Sequence, residues 1–212
     1  MGERRTERGQ GVLELVVMLP VLLVLLFGVV EMGYALRNYL VVVNADREGC
    51  RFAARGRFSD ELAGARVVSA GGVVSLGDPP TNVPFLRTDI DSTDPNTGII
   101  VTQIVLDDSG AVISYTKWYS GVVPNGAGGV QGIVEGDSRV TQAQIEARHT
   151  TVTNDINGTR AALGYERMDN HIVVVEIFFM HHPLWNSPFV PLPDPWMMYA
   201  QTEMRVITER GG

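Results

Sequence analysis

Histidine, cysteine and clustered carboxylates are the residue types in this chain that could support catalysis or metal binding. The histidines are His149, His171, His181 and His182, and Cys50 is the only cysteine. Adjacent residues of a strand point to opposite faces, so His181 and His182 cannot share a metal within a strand. In a loop they could, but the sequence indicates no third ligand. No Gly-x-Ser-x-Gly nucleophile motif is present. The sequence therefore favours a protein that is not an enzyme and binds no cofactor.

A second candidate site is the acidic stretch from Thr88 to Gly98. It contains four oxygen-bearing side chains that could bind calcium, namely Asp89, Asp91, Asp94 and Asn96. Calcium prefers several oxygen ligands from such loops, but the spacing here does not follow the EF-hand pattern. A cluster of polar turn residues is the favoured interpretation, and calcium binding is the alternative.

Charge and composition exclude several other functions. The chain has 212 residues, a formal net charge of −7 and one cysteine. No basic tract occurs outside the first ten residues, so nucleic-acid binding is not expected. The Gly-rich stretch from Gly121 to Gly136 lacks the Lys-Ser/Thr ending of a phosphate-binding loop and predicts a surface loop. Cys50 is either a small apolar helix residue or forms a disulfide between subunits.

The longest apolar run, from Leu15 to Leu36, predicts a membrane span. It is interrupted only by Pro20, by Gly28 and Gly33, and by Glu31. About 20 apolar residues suffice for a helix to cross a hydrocarbon core of roughly 30 Å. Since backbone polar groups must be satisfied inside lipid, a single span has to be helical.

The helical pattern continues beyond the expected membrane boundary. Arg47 interrupts the stripe, but the apolar positions of this second half keep helical spacing, namely Leu36, Leu40, Val43, Cys50 and Ala54. A helix from Val12 to Arg55 would be roughly 65 Å long, about twice the membrane thickness. We expect the first half to lie in lipid, the second half to stand outside it, and Pro20 to kink the helix locally.

The residues before the span predict its orientation. Met1–Gln10 is short and basic, and basic flanks tend to remain in the cytoplasm, so the C-terminal part is expected outside. The apolar run is longer than that of an ordinary signal peptide, and no small-x-small cleavage site follows it. Glu14 lies inside the apolar run, where a carboxylate is unfavourable. It is either hydrated near the membrane surface or neutralised by a positively charged partner.

These residues together resemble TadE-like proteins, which are pilin-like subunits of tight-adherence pilus systems within the wider type IV pilin class. The family typically has G-x-x-x-x-E, an aliphatic run with an early proline, a glutamate near the end of the span, and an A-R-E-A-A-R helix. The counterparts here are Gly9, Glu14, Pro20, Glu31 and the stretch from Ala45 to Arg51. One departure is Gly49-Cys50, where the family usually has alanines.

The resemblance implies a processing and assembly route. A prepilin peptidase would cleave between Gly9 and Gln10, and Glu14 would then become the fifth residue. The resemblance further implies contacts with copies of itself or other pilin subunits, and with an assembly platform and its ATPase. The protein would be a minor subunit or the main building block, anchored in the cytoplasmic membrane before assembly and on the cell surface afterwards.

The remainder of the chain predicts an α+β domain. We expect a helix after Ser59, a loop over Gly77–Phe85 and then a strand hairpin. A helix over Ser138–Thr153 follows, with a turn at Asn157-Gly158. The chain then forms a buried strand over Ile172–Met180 and a last strand over Tyr199–Thr208. The domain boundaries are a leader over residues 1–9, a spanning and extended helix over 10–56, and an exported domain over 57–212. The helix is expected to pack on an antiparallel sheet, as in type IV pilins.

A Pro-rich aromatic segment separates the last two strands. It runs from His181 to Trp196, and its large apolar residues include Leu184, Trp185, Phe189 and Trp196. Such a segment either folds back over the core or presents an apolar patch to a neighbouring subunit or the membrane.

Two functional hypotheses of different classes follow. The first is a pilin-like structural subunit. The second is an unprocessed, single-pass membrane-anchored binding domain that never polymerises, with the aromatic and acidic loops as its binding features. A membrane-tethered enzyme that uses the histidines is a third and weaker hypothesis.

Overall fold

The computed structural model describes residues 4–55, 60–76, 81–92, 94–127, 129–168, 170–185 and 193–206, with the backbone alone for residues 4–10, 75, 76 and 81. The helices are α1 (Arg4–Ala54), α2 (Asp60–Ala70) and α3 (Gln142–Ala162). The strands are β1 (Val73–Leu76), β2 (Thr81–Pro84), β3 (Thr97–Leu106), β4 (Val112–Pro124), β5 (Val130–Gly132), β6 (Asn170–His181) and β7 (Trp196–Val206). This arrangement confirms the predicted α+β class.

Helix α1 dominates the molecule. It has 51 residues, begins before the predicted start at Val12, and remains helical through Pro20. At about 1.5 Å per residue it is roughly 75 Å long. Its first half is exposed, and its second half packs on the sheet through β6 and β7.

The buried face of α1 includes only part of its apolar stripe. It consists mainly of small side chains, namely Ala35, Val42, Ala45, Gly49, Cys50 and Ala53. Cys50 of the stripe is buried, whereas Leu36 and Leu40 are 59% and 52% exposed. Small side chains let a helix approach a sheet closely, whereas the leucines continue an apolar surface that no described residue covers.

The main sheet has five strands in the order β5-β4-β3-β6-β7, and every pairing is antiparallel. The predicted hairpin is confirmed as β3 and β4, with Asp107 accepting hydrogen bonds from the turn backbone at Ser109 and Ala111. Strand β6 is an interior strand that is buried on both faces, as its continuous apolar sequence predicts.

Helices cover the two faces of this sheet. On one face, α1 and α2 pack against Val101, Val173, Val175 and Ile177. On the other face, Ile145 of α3 packs with Ile104, Leu106, Ile172 and Val174. The core therefore includes residues from α1 as well as from the part of the chain that follows it.

A buried carboxylate lies on the α3 side of β6. Glu176 is fully buried and accepts hydrogen bonds from the Ser138 hydroxyl at 2.5 Å, the Arg139 backbone N–H at 2.9 Å and the Tyr199 hydroxyl at 2.8 Å. The Arg139 guanidinium lies over the Tyr199 ring, 4.4 Å from its centroid. The carboxylate thus attaches the segment before α3 to the sheet.

Two predicted loops contain strands instead. Within Gly77–Phe85, β2 pairs with β1, and Pro84 lies at the end of the ladder opposite Val73. Within Gly121–Gly136, the buried Val122 and Val123 continue β4. Gly121 has φ of +106°, and a Cβ there would lie 2.0 Å from the carbonyl oxygen of Thr97. This glycine permits close strand pairing rather than a free loop.

Helix α3 is longer than predicted. It continues through Thr150–Thr153 and through Asn157-Gly158, where a turn was expected. The buried Asn157 side chain donates to the carbonyl oxygens of Asp108 and Met168 and accepts from the Met168 N–H. These tertiary hydrogen bonds outweigh the low helix propensity of Asn-Gly.

Candidate membrane anchor and helix–sheet junction

The first half of α1 is a candidate membrane anchor. Within the described residues, one helical stretch, Gly11–Ala54, is long and apolar enough to cross a membrane. Its large apolar side chains from Val12 to Leu26 are all exposed. Such a surface is unfavourable in water, and it requires lipid or another apolar surface around it.

The predicted residues of the processing and assembly sites all lie on this half of α1. Gly9 and Gln10 are helical, and only their backbone is described. Glu14 is exposed among apolar neighbours and makes no hydrogen bond or ion pair with the described residues. Cleavage at Gly9, the register role of Glu14 and the kink at Pro20 stay predictions.

A buried polar cluster joins α1 to the end of β6. His181 Nε2 lies 3.2 Å from Glu31 Oε1, and Asn38 Nδ2 lies 3.0 Å from His181 Nδ1. The Leu184 N–H donates to Glu31 Oε2 at 2.9 Å. Because the Asn38 amide nitrogen faces Nδ1, the proton of the neutral imidazole lies on Nε2, from which it is donated to Glu31.

Two more polar side chains lie between α1 and the sheet. The Cys50 thiol is buried, 3.5 Å from the carbonyl oxygens of Val173 and Thr202. This supports a packing role rather than a disulfide between subunits. Asp46 is 1% exposed, and neither of its oxygens has a hydrogen bond of ordinary geometry among the described residues, although Thr202 is a polar neighbour. Burial raises the pKa of the Asp46 carboxyl to about 7, because the charged form loses its hydration there.

The aromatic segment lies beside α1 and does not form a buried lid where it is described. Leu184 and Trp185 are 56% and 50% exposed, and Trp196 is also exposed. The Trp185 ring centroid lies 3.9 Å from that of Phe27. Phe189 lies outside the described residues. The apolar residues on either side of Phe189 are therefore better described as an exposed contact surface than as a buried lid.

The acidic loop is organised by hydrogen bonds within itself. Asp94 pairs with Arg87 at 2.6 Å, and Asp89 accepts from the Asp91 N–H at 3.0 Å. Asn96 is buried and accepts from the Arg87 N–H and the Thr97 hydroxyl. Within the ranges that the structure covers, no group of three or more His, Cys, Asp or Glu side chains could hold a metal ion.

The histidines take part in separate contacts. His181 belongs to the Glu31 cluster, and His182 lies 2.7 Å from Asp194 at the surface. His149 pairs with Glu203, and burial lowers its pKa below the ordinary value. The two adjacent histidines therefore bind different carboxylates, as their opposite directions on a strand end require.

Sequence reasoning missed the partners of the buried polar groups. Glu31 and Asn38 are seven residues apart and hence on one helix face, which was a usable signal. Nothing local indicates that His181, more than 140 residues later, completes the cluster. Glu176 within an apolar strand was likewise a signal, because a buried carboxylate requires donors.

Comparisons with known proteins identify the N-terminal part of the chain. A family model described as TadE-like protein matches residues 9–51, which confirms the resemblance over α1. No curated protein and no solved structure matches the chain. The matched segment includes Glu14, Pro20, Glu31 and the sheet-packing half of the helix.

Proposed function

Because residues 9–51 are TadE-like, we propose that this protein is a pilin-like structural subunit of a tight-adherence pilus, without enzymatic activity. The main supporting observation is the division of α1 into two halves. The first is apolar and exposed, and the second forms part of the core of the domain. Such a helix anchors a subunit in lipid and can later be buried among copies of itself.

The exposed side of the second half supports assembly through helix packing. Met32, Leu36 and Leu40 are exposed and recur at four-residue spacing, so they form one stripe beyond the apolar span. This stripe continues the apolar surface of the first half toward the domain. A neighbouring helix that covered the first half could follow it without interruption.

Glu14 sets the register in this proposal. After removal of residues 1–9 by a prepilin peptidase, Gln10 carries a new positively charged amine. The Glu14 carboxylate of a neighbouring subunit meets that amine, which offsets the cost of placing both charges in apolar surroundings. The subunit is either a minor pilin or the building block of its own filament.

The proposal includes partners and location. Before assembly the chain crosses the cytoplasmic membrane once, with the domain outside. An assembly platform and its ATPase supply the energy, and the filament reaches the cell surface.

Mass spectrometry of the native protein tests this proposal. Membranes and a sheared surface fraction are compared by intact mass and by N-terminal peptides. We expect a sheared species that begins at Gln10. Full-length protein confined to membranes would contradict the proposal and favour the unprocessed, anchored binding domain.

A further inference from the structure

The helix provides a scale for locating the membrane surface. From Val12 to Glu31, α1 rises about 28 Å, which equals the thickness of a typical hydrocarbon core of roughly 30 Å. If the inner boundary lies at Val12, where the exposed large apolar side chains of α1 begin, Glu31 lies at the outer boundary. Tyr34 and Tyr39 follow directly, and tyrosine is enriched at this level of membrane helices.

Part of the domain lies on the lipid side of the level of Glu31. The Trp185 ring contacts that of Phe27, which lies one turn, or about 6 Å, on the lipid side of Glu31. Leu184 and Trp185 are both half exposed at this depth. Their exposed surfaces therefore lie beside the lipid-facing part of α1 rather than in water.

The position of Glu31 provides an independent argument. A carboxylate at the edge of the span is unfavourable unless protein surrounds it. The Glu31 side chain is 11% exposed, and it accepts hydrogen bonds from His181 and from the Leu184 N–H. The segment that descends along α1 thus replaces lipid around this carboxylate.

We propose that Leu184 and Trp185 insert into the outer leaflet of the phospholipid bilayer beside α1, with Trp196 at headgroup level. The domain then rests on the membrane surface at a fixed height. This inference rests on the membrane anchoring by α1 in the proposed function, and adds a second lipid contact to it. A groove of about 310 Å³, lined by Met32, Leu36, Tyr39 and Trp196 among others, opens just above Glu31 and continues this apolar surface.

The contact is apolar rather than electrostatic. The chain carries a net charge of −7, and the exposed Asp89 and Asp91 follow β2 near the same end of the sheet, before β3 begins. Insertion therefore does not depend on anionic lipids. We expect insertion into uncharged phosphatidylcholine that is insensitive to salt.

The chain contains three tryptophans, which makes the depth measurable. Trp118 is a matched control because it packs against Gly64 of α2. Helix α2 packs at Gly49, about 27 Å along α1 from Glu31 and away from lipid. Trp118 therefore lies well outside the bilayer.

The test uses the full chain in phosphatidylcholine vesicles with brominated acyl chains, which quench nearby tryptophans. One variant retains only Trp185, one retains only Trp196, one retains only Trp118, and a fourth carries Leu22→Trp with the native tryptophans replaced by Phe. We expect strong quenching of the Leu22→Trp reporter, clear quenching of Trp185, weaker quenching of Trp196, and none of Trp118. The difference between the native chain and Trp185→Phe gives the same readout without replacing Trp118.

The outcomes separate this inference from the proposed function. Quenching of the Leu22→Trp reporter without quenching of Trp185 would overturn the inference and leave the anchor intact. Absence of quenching at both would overturn the anchor as well. Quenching of Trp185 that is present at a low protein-to-lipid ratio and is lost as the ratio rises would support insertion of the single subunit and show that copies cover this surface when crowded.

Discussion

Two glutamates of α1, Glu31 and Glu14, differ in their burial and in their hydrogen-bond partners. Glu31 is almost buried and has two hydrogen-bond donors from the end of β6 and the residues after it. Glu14 is exposed in an apolar stretch and has no partner among the described residues. In the proposed function, the positively charged amine of another subunit pairs with Glu14.

Replacing Glu14 is therefore expected to affect assembly rather than folding. Glu14→Ala should leave membrane insertion intact, since it makes the span more apolar, and should prevent incorporation into surface filaments. The measurement is the amount of the protein in membranes and in the sheared fraction. Glu166→Ala, at an exposed position of the domain, is the control and should assemble normally. Normal filament yield from Glu14→Ala would refute its register role.

Replacing Glu31 is expected to affect folding instead. Glu31→Ala leaves His181 Nε2 and the Leu184 N–H without an acceptor, and each buried unpaired donor costs about 1–3 kcal/mol. We expect a clear decrease in the unfolding midpoint of the protein in detergent micelles. Glu166→Ala should leave that midpoint unchanged, and equal midpoints for the two variants would contradict the importance of the cluster.

A further residue-scale prediction concerns alkaline pH. Burial, followed by the hydrogen bond to Glu176, raises the pKa of Tyr199 above its ordinary value. The folded protein thus holds the phenol proton more tightly than the unfolded chain, so the free energy of unfolding falls as pH rises above about 10. Urea unfolding between about pH 8 and pH 11 should show this fall, with a smaller slope in Tyr199→Phe. Tyr119→Phe, at an exposed position, should keep the full slope.

At the scale of elements, the close approach of α1 to its neighbours depends on small residues. A Cβ on Gly49 would lie 2.2 Å from Val67 Cγ2 of α2. By contrast, Gly158 in the C-terminal part of α3 has nothing within 4 Å of the same position. The departure from alanine at Gly49 therefore has a packing reason.

The two glycines should respond in opposite ways to the same change. Gly158→Ala should raise stability by about 0.5–1 kcal/mol because it improves helix propensity. Gly49→Ala gains the same propensity but overpacks the α1–α2 contact, at a cost of about 1–3 kcal/mol. Chemical denaturation of both variants measures the change in the free energy of unfolding. Stabilisation by Gly49→Ala would contradict the prediction, since it would show that α2 moves away readily to accommodate the added methyl group.

The elements that sequence reasoning predicted correctly have strong local signals. The apolar run of α1, the Asp-rich turn between β3 and β4, and the β-branched run of β6 all indicate their structures directly. The failures have a tertiary cause. Ala35 and Ala45 are buried while the larger Leu36 and Leu40 are exposed, because fit to the sheet rather than hydrophobicity selects the face.

At the scale of the whole molecule, one hydrophobic core contains residues of α1 together with residues of the sheet. Ala35, Val42 and Ala53 of α1 belong to the same cluster as Val173 and Ile177. Part of the hydrophobic core is thus supplied by the segment that also contains the span. Residues 57–212 are not expected to fold alone.

Two truncations test this expectation. A chain of residues 28–212 lacks most of the apolar span and retains the whole buried face of α1, so it should unfold cooperatively. A chain of residues 56–212 leaves one face of the sheet uncovered and should aggregate or bind hydrophobic dyes. Denaturant unfolding and dye fluorescence are the measurements, and cooperative unfolding of the shorter chain would show that α1 is dispensable for the domain.

The pairing of α1 with β6 has a consequence for biosynthesis. Cys50 contacts Val173, 123 residues later, and a ribosome adds roughly 5–20 residues per second. The helix therefore emerges roughly 6–25 s before the strand that covers it. During that interval Asn38 and Asp46 face no sheet, and their polarity opposes entry of the second half into lipid. If α1 anchors the chain as proposed, the nascent helix is thereby divided into a membrane-inserted part and an aqueous part before the domain has folded.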